Sequence, residues 1–155
     1  MRGKLVLRTA VSGALAAAGL AACLGDGEAG RGKAAASGAA APTVITLVAA
    51  GRAAGGEAPR VAVLVDGEPV GEAVVRAEHG AGEWETHEFE AAVPPRATLG
   101  VRYVNDGGER DLWIQRVVVG GAELPLDRAT YLRDGRDPLP GQGRMRWGGE
   151  LRFEP

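Results

Sequence analysis

The sequence is poor in the residues that build covalent cross-links and zinc sites. It contains one cysteine, Cys23, and two histidines, His79 and His87. A single cysteine has no partner in the chain with which to form a disulfide. The histidines are not spaced with each other or with the cysteine as zinc ligands are. Neither a disulfide-linked scaffold nor a zinc site is therefore expected.

Catalytic and nucleotide-binding motifs are also missing. The chain has no Gly-x-Ser-x-Gly motif, no P-loop and no dinucleotide fingerprint. A glycoside hydrolase needs two carboxylates about 5–9 Å apart, one of them with a raised pKa. Asp106 and Asp111 can meet this spacing, but no separate acid in an apolar setting accompanies them. The sequence therefore predicts a protein that is not an enzyme.

Long hydrophobic runs are absent except at the N-terminus, where the pattern is that of an export signal. Residues 1–8 carry three positive charges, and residues 9–22 are almost wholly small or apolar. This run is too short to span a bilayer, which takes about 20 residues. A basic segment, an apolar segment and then small residues form the usual order of a secretory signal. Residues 1–22 are therefore predicted to be a signal peptide.

The signal ends in Leu-Ala-Ala-Cys, at residues 20–23, which resembles the bacterial lipobox. The resemblance implies that Cys23 is acylated, becomes the new N-terminus and anchors the protein in a membrane through two or three acyl chains. Leu24 follows the cysteine, and by resemblance to Gram-negative sorting rules this favours the outer membrane of the cell envelope. The alternative is an ordinary small-residue cleavage site with an incidental cysteine.

Basic residues are outnumbered in the rest of the chain. From Cys23 onward there are 15 basic and 20 acidic residues, a formal charge of −5. A nucleic-acid partner needs a basic footprint, so none is expected. Residues 23–42 consist mainly of glycine and alanine, with no large apolar side chain after Leu24. This composition predicts a flexible tether with a reach of roughly 25 Å.

Sustained helical periodicity is absent from residues 43–155, which contain short strand-like runs separated by turn residues. Asp66-Gly67 is typical of a hairpin turn, and residues 84–90 alternate between two faces. Many short strands with glycine- or proline-containing turns predict an all-β, jelly-roll-like β-sandwich. Aromatic residues make up 5% of the chain, so this domain has few aromatic side chains with which to fill its core.

The segment YVNDGGERDLW, residues 103–113, joins two of these apolar runs. A tight connection brings Asp106 and Asp111 to the same end of the sheet, and the two glycines between them allow backbone carbonyls to turn inward. Calcium takes about six to eight oxygen ligands from carboxylates and carbonyls. A calcium site is one interpretation. A solvated turn, in which Arg110 pairs with one aspartate, is the other, because aspartate and glycine are common in turns.

The longer stretch VRYVNDGGERDLWIQRVVVGG, residues 101–121, resembles calcium-dependent xylan-binding modules, carbohydrate-binding module families 36 and 60. The shared pattern is an apolar strand, Asn-Asp, a short loop, Arg-Asp or a similar pair, and a second apolar strand. The stretch GRAAGGEAPRVAVLVDGEPV resembles the opening strands of these modules, and the tail GRMRWGGELRF is similar less distinctly. The main likeness runs from about residue 44 to residue 121.

The resemblance implies a single calcium ion held by Asp106, Asp111 and the backbone carbonyl of Arg110, with Glu57 as a further ligand. Two adjacent hydroxyls of a sugar ring would fill the open coordination positions. Trp113 stands where these modules commonly have an arginine or a polar residue. It lies on the same strand face as Asp111, where it is either a platform for a sugar or part of the core.

Together these inferences predict a non-catalytic, calcium-dependent module that binds a xylan-like polysaccharide and is exported on a lipid anchor. The alternative is an envelope domain that binds another protein, with structural calcium or with none. The sequence identifies neither the sugar nor a protein partner.

Overall fold

The computed structural model describes residues 41–155, and this part of the chain is almost entirely β. The predicted signal peptide, Cys23 and nearly all of the predicted tether lie outside the described residues. None of the helical segments in residues 41–155 is long and apolar enough to cross a membrane.

The described residues form eleven strands and two single-turn 3-10 helices. The short helices are His79–Ala81 and Leu126–Arg128. The strands are β1 (Pro42–Arg52), β2 (Arg60–Val65), β3 (Glu68–Val74), β4 (Glu85–Ala92), β5 (Leu99–Tyr103), β6 (Asp111–Val119), β7 (Ala122–Leu124), β8 (Thr130–Arg133), β9 (Leu139–Pro140), β10 (Arg144–Met145) and β11 (Gly149–Phe153).

These strands pair into two antiparallel sheets. One sheet has the order β10-β6-β1-β4, with β7 paired to β6, and the other has the order β3-β2-β5-β11-β8-β9. Buried side chains from both sheets belong to a single hydrophobic cluster. The predicted β-sandwich is therefore confirmed.

The core is built mainly from branched aliphatic side chains. Along β1, Ile45, Leu47 and Ala49 are fully buried and face the core at every second position, as a strand requires. Full burial of a large aliphatic side chain contributes about 1.5–3 kcal/mol. The buried aromatic residues of the described chain are Tyr103, Tyr131 and Phe153.

Two local predictions are also confirmed. Asp66 and Gly67 have φ angles of 52° and 84°, and they form the turn between β2 and β3, where a hairpin needs positive φ. Along β4 half-buried and exposed residues alternate. The half-buried face includes Glu85, His87 and Phe89, and the exposed face includes Thr86, Glu88 and Glu90.

Two connections cross from one sheet to the other at the same end of the sandwich. Residues 104–110 lead from β5 to β6, and residues 146–148 lead from β10 to β11. Strand β5 pairs with β11 and strand β6 pairs with β10. The two connections therefore lie side by side. The backbone pairs that fix this arrangement are Arg52 with Asp111, Trp113 with Arg144, and Tyr103 with Gly149.

Candidate functional site

An open pocket of about 390 Å³ lies where these two connections meet, and we call it the end pocket. It combines cationic, anionic and aromatic side chains from the end of β1, the 104–110 connection and the 144–147 segment. The side chains that give it this character are Arg52, Arg144 and Arg146 on the basic side, Glu109 and Asp111 on the acidic side, and Trp147.

Asp111 is the buried anion of the end pocket. It opens β6, and its side chain is 7% exposed. Its Oδ2 accepts a hydrogen bond of 2.8 Å from Arg144 and lies 3.4 Å from a guanidinium nitrogen of Arg52. A buried carboxylate needs such compensation, because leaving water without a partner is costly. The two arginines are 38% and 45% exposed, so the pocket side of this cluster faces solvent.

The guanidinium of Arg110 points into the protein rather than towards either aspartate. Its side chain is 10% exposed. It donates to the backbone carbonyls of Asn105 and Ala54 and to the carboxylate of Glu57. The pairing of Arg110 with Asp106 or Asp111, which the solvated-turn interpretation requires, is not formed. Arg110 instead joins the 104–110 connection to the segment that follows β1.

Glu57 lies on that neighbouring segment, which is closed by a backbone bridge between Ala54 and Glu57. Its side chain is 69% exposed, and its Oε2 lies 3.0 Å from Arg110. The structure therefore places Glu57 beside the guanidinium of Arg110. Its role as a metal ligand stays a prediction.

Asp106 links the two connections at the edge of the site. Its Oδ2 accepts a 2.8 Å hydrogen bond from the backbone N–H of Gly148. The next residue, Gly149, has a φ of 150°, and a Cβ there would lie 2.2 Å from the carbonyl oxygen of Leu132. Only glycine fits this close approach. Asp106 and Gly149 thus fix the path of the chain on the C-terminal side of Trp147.

Tyr131 holds the backbone of Trp147 itself. Its hydroxyl donates to the carbonyl of Trp147 and accepts a 3.2 Å hydrogen bond from the N–H of the same residue. Burial raises the pKa of Tyr131 above its ordinary value. The aromatic ring that lines the end pocket is therefore carried on a backbone held by a core side chain.

Tyr103 lies in the same region but has no such partner. Its hydroxyl is buried and forms no hydrogen bond with any residue that the structure describes. Burial raises the pKa of Tyr103 well above its ordinary range, and the negative charges of Asp106 and Asp111 raise it further. Both aspartates therefore act electrostatically on the same hydroxyl.

These two tyrosines give a matched prediction. Tyr131→Phe is expected to lower the free energy of unfolding by about 1–2 kcal/mol, because it leaves the N–H and carbonyl of Trp147 without their buried partner. Tyr103→Phe removes a buried hydroxyl that has no partner and should be neutral or stabilising. Urea unfolding of residues 41–155 measures both values. Equal losses in the two variants would contradict the role assigned to Tyr131.

Trp113 packs against other side chains of the domain. Its ring stacks on His79 with a centroid separation of 4.1 Å and an interplanar angle of 7°, and the guanidinium of Arg144 lies 5.1 Å from the ring centroid. His79 also meets the ring of Trp84 edge-on. Trp113 does not line the end pocket, whereas Trp147 does.

The partners that the C-terminal segment brings to the loop are not predicted from the sequence. Arg144 and Trp147 come from the tail GRMRWGGELRF. This tail resembles the xylan-binding modules only indistinctly, and the resemblance assigned no role to either residue. Arg52, at the end of β1, was also missed. One signal was available: a tryptophan flanked by two arginines on one side and two glycines on the other is unusual in a chain with few aromatics.

The site contains the type of donor atom that calcium binds, the carboxylate oxygen. Asp106 and Asp111 carry the hard oxygens that calcium prefers. Asp111 lines the end pocket, whereas Asp106 lies beside it and binds the N–H of Gly148. Within residues 41–155, however, no three acidic, histidine or cysteine side chains are grouped to hold a metal ion. The outer oxygen of Asp111 is also shared with Arg52 and Arg144. A cation bound there would have to compete with these guanidinium groups for Oδ2 or use the other oxygen of Asp111, and it would take several ligands from the backbone, water or a sugar.

Comparison with known proteins gives one family and one fold. The family model CBM60, described as a Ca-dependent carbohydrate-binding module, xylan-binding, matches residues 44–133. A solved structure of vCBM60 in complex with galactobiose is similar with a TM-score of 0.55 at 16% identity, over 72% of this chain and 97% of that one. The selenomethionine form of vCBM60 gives a TM-score of 0.55 at 17% identity, over 72% and 90% of the two chains. No curated protein matches the chain significantly.

Proposed function

The chain belongs to the CBM60 family of carbohydrate-binding modules, and we propose that its end pocket binds a xylan-like polysaccharide in a calcium-dependent manner without catalysing a reaction. The observation that carries this proposal is the position of the pocket. It is formed by the same 104–110 connection that bears the family resemblance, and it places the buried Asp111 beside Trp147.

In this proposal Asp106, Asp111 and the backbone carbonyl of Arg110 hold the calcium ion. When bound, calcium offers coordination positions to two adjacent hydroxyls of a sugar ring. The guanidinium of Arg110 supports the loop from behind, because it binds the carbonyls of Asn105 and Ala54. The loop is thus held by its own hydrogen bonds, and its carboxylates and carbonyls are available to bind a cation.

Trp147 supplies the apolar part of the site. A tryptophan ring offers apolar area together with one N–H donor, a combination that suits sugars, whose rings have apolar faces and polar edges. Its backbone is held by Tyr131, and the next residue, Gly148, is bound by Asp106. A side chain carried on a backbone that is already held has less conformational freedom to lose on binding, which favours affinity.

Retention on insoluble xylan tests the proposal. The wild-type domain is expected to be retained in calcium and released by a chelator. Trp147→Ala should lose most of the retention, whereas Trp84→Ala, which removes a half-exposed tryptophan that does not line the end pocket, should keep it. If a chelator does not change the retention, the proposed dependence on calcium is wrong. Absence of retention on any polysaccharide would favour the alternative of a protein-binding envelope domain.

The cellular setting is a separate part of the proposal and rests on the N-terminal sequence. The order of basic, apolar and small residues before Cys23, with Leu-Ala-Ala preceding it, supports export and acylation. A module on a lipid anchor with a tether of roughly 20 residues can sample polymers at some distance from the outer membrane.

Cys23→Ser tests the anchor. This variant is expected to lose acylation and to move from the membrane fraction to the soluble fraction, or to be retained with its signal, because the acyl chains attach to the cysteine. Metabolic labelling with a palmitate analogue, followed by fractionation, measures both effects. Equal labelling of wild type and variant would show that Cys23 is not the modified residue.

A further inference from the structure

Arginine side chains concentrate around the end pocket in a chain that is acidic overall. The formal charge of the sequence is −2, and that of residues 23–155 is −5. Three arginines of the pocket, Arg52, Arg144 and Arg146, are at least partly exposed. Two more guanidinium groups lie over the ring of Trp147, that of Arg133 at 5.2 Å from the ring centroid and that of Arg136 at 4.9 Å.

The nearby carboxylates do not neutralise all of these cations. Asp111 is shared between Arg52 and Arg144. Arg146 and Arg136 form no ion pair with any residue in 41–155, and Arg133 donates to the backbone carbonyl of Asp137. Among the other acids of this region, Asp134 pairs with Arg102 and Glu57 with Arg110. Asp106 binds the N–H of Gly148, and Glu109 lines the pocket. Asp137 contributes its backbone carbonyl to Arg133, and its carboxylate forms no ion pair with any described residue.

This basic surface is largely a property of the C-terminal segment. The family match ends at residue 133, so Arg136, Arg144 and Arg146 lie beyond it. These arginines surround Trp147, so an anionic substituent of a sugar bound against this ring would lie close to a guanidinium.

We infer that the end pocket selects polysaccharides whose sugars carry anionic groups, with Arg146 as the principal contact and Arg133 and Arg136 extending the basic surface past Trp147. A guanidinium offers two parallel N–H donors that match the two oxygens of a uronic acid carboxylate. A sulfate ester presents the same chemistry. The inference names the ligand class of the site given under Proposed function and rests on that function.

A matched pair of polymers tests the inference. Glucuronoxylan and the same polymer after reduction of its carboxyl groups share one backbone and differ in charge. Affinity electrophoresis in calcium is expected to show about three- to tenfold tighter binding of the acidic polymer, and this preference should shrink as salt is raised. Sulfated xylan in a third gel distinguishes the two anions, because the preferred one will retard the domain more strongly.

The outcomes separate the two claims. Equal binding of the acidic and the reduced polymer would overturn the inference and leave the proposed function intact. Binding of neither polymer would overturn both. Stronger binding of the acidic polymer, with weaker binding of the reduced one, is the result that both claims expect.

Variants locate the effect. Arg146→Gln is expected to bring the ratio of the two affinities towards one, and Glu109→Gln to raise it, because Glu109 repels an anion in the same pocket. Arg96→Gln removes the same charge at the other end of β5, in the turn that precedes it, and should leave the ratio unchanged. An unchanged ratio in Arg146→Gln would rule out Arg146 as the contact.

Discussion

Arg110→Ala is expected to lower the free energy of unfolding of the β-sandwich by about 2–4 kcal/mol. The side chain is 10% exposed and donates to three acceptors, the carbonyls of Asn105 and Ala54 and the carboxylate of Glu57. Truncation leaves these carbonyls short of a donor in a partly buried position, at a cost of about 1–3 kcal/mol for each group that water does not reach. Denaturant unfolding measures the loss.

A second variant separates the carbonyl bonds from the ion pair. Glu57→Gln keeps the shape of the acceptor and removes its charge, and it should cost less than about 1 kcal/mol because the Glu57 side chain is 69% exposed. If Arg110→Ala and Glu57→Gln cost the same small amount, the guanidinium does not hold the loop, and the site would be a solvated turn with one surface ion pair.

The side-chain contacts of Arg110 could not be predicted from the sequence. The family resemblance implies that Arg110 binds calcium through its backbone carbonyl alone, so loss of its side chain is expected to have a milder effect than loss of an aspartate. The structure gives that side chain acceptors at Ala54 and Glu57, more than 50 residues earlier in the chain. No local pattern encodes such a contact, because it depends on how the segment after β1 folds over the loop.

The regular part of the fold was predictable because its signals are local. The turn at Asp66-Gly67 and the alternation along β4 follow from backbone preference and from burial of one strand face. The short strands β8, β9 and β10 were not predicted. They have two to four residues each, which is too short for an alternating pattern to be recognised.

The candidate site also has a part that is predictable from local sequence and a part that is not. The 104–110 loop could be recognised because its acidic residues and glycines are close together in sequence. Its partners could not, because Arg144 meets Asp111 across 33 residues and Arg52 meets the carbonyl of Glu109 across 57. These contacts arise where two sheets end together, which is a property of the strand order and not of any single segment.

Calcium is expected to stabilise the domain by about 2.7 kcal/mol at a hundredfold excess over its Kd, because a ligand that binds only the folded state stabilises it by RT ln(1 + [Ca]/Kd). Asp111→Asn should abolish most of this gain, since it keeps the shape of the side chain and removes the charge that calcium needs. Thermal unfolding of wild type and variant, each with calcium and with chelator, measures the gain. Equal melting temperatures of the wild type in both solutions would remove the proposed mechanism.

The arginines around Asp111 lead to a second prediction, which concerns competition with calcium. In the structure the Asp111 Oδ2 is bound by Arg144 at 2.8 Å, so a metal ion and this guanidinium compete for one oxygen. Arg144→Gln is therefore expected to strengthen calcium binding severalfold and to enlarge the stabilisation at a fixed subsaturating calcium concentration. Arg96→Gln, which removes an equal charge far from the pocket, controls for the change in net charge. If Arg144→Gln weakens calcium binding, Arg144 supports the metal site instead of competing with it, and Asp111 would have to bind calcium through its other oxygen.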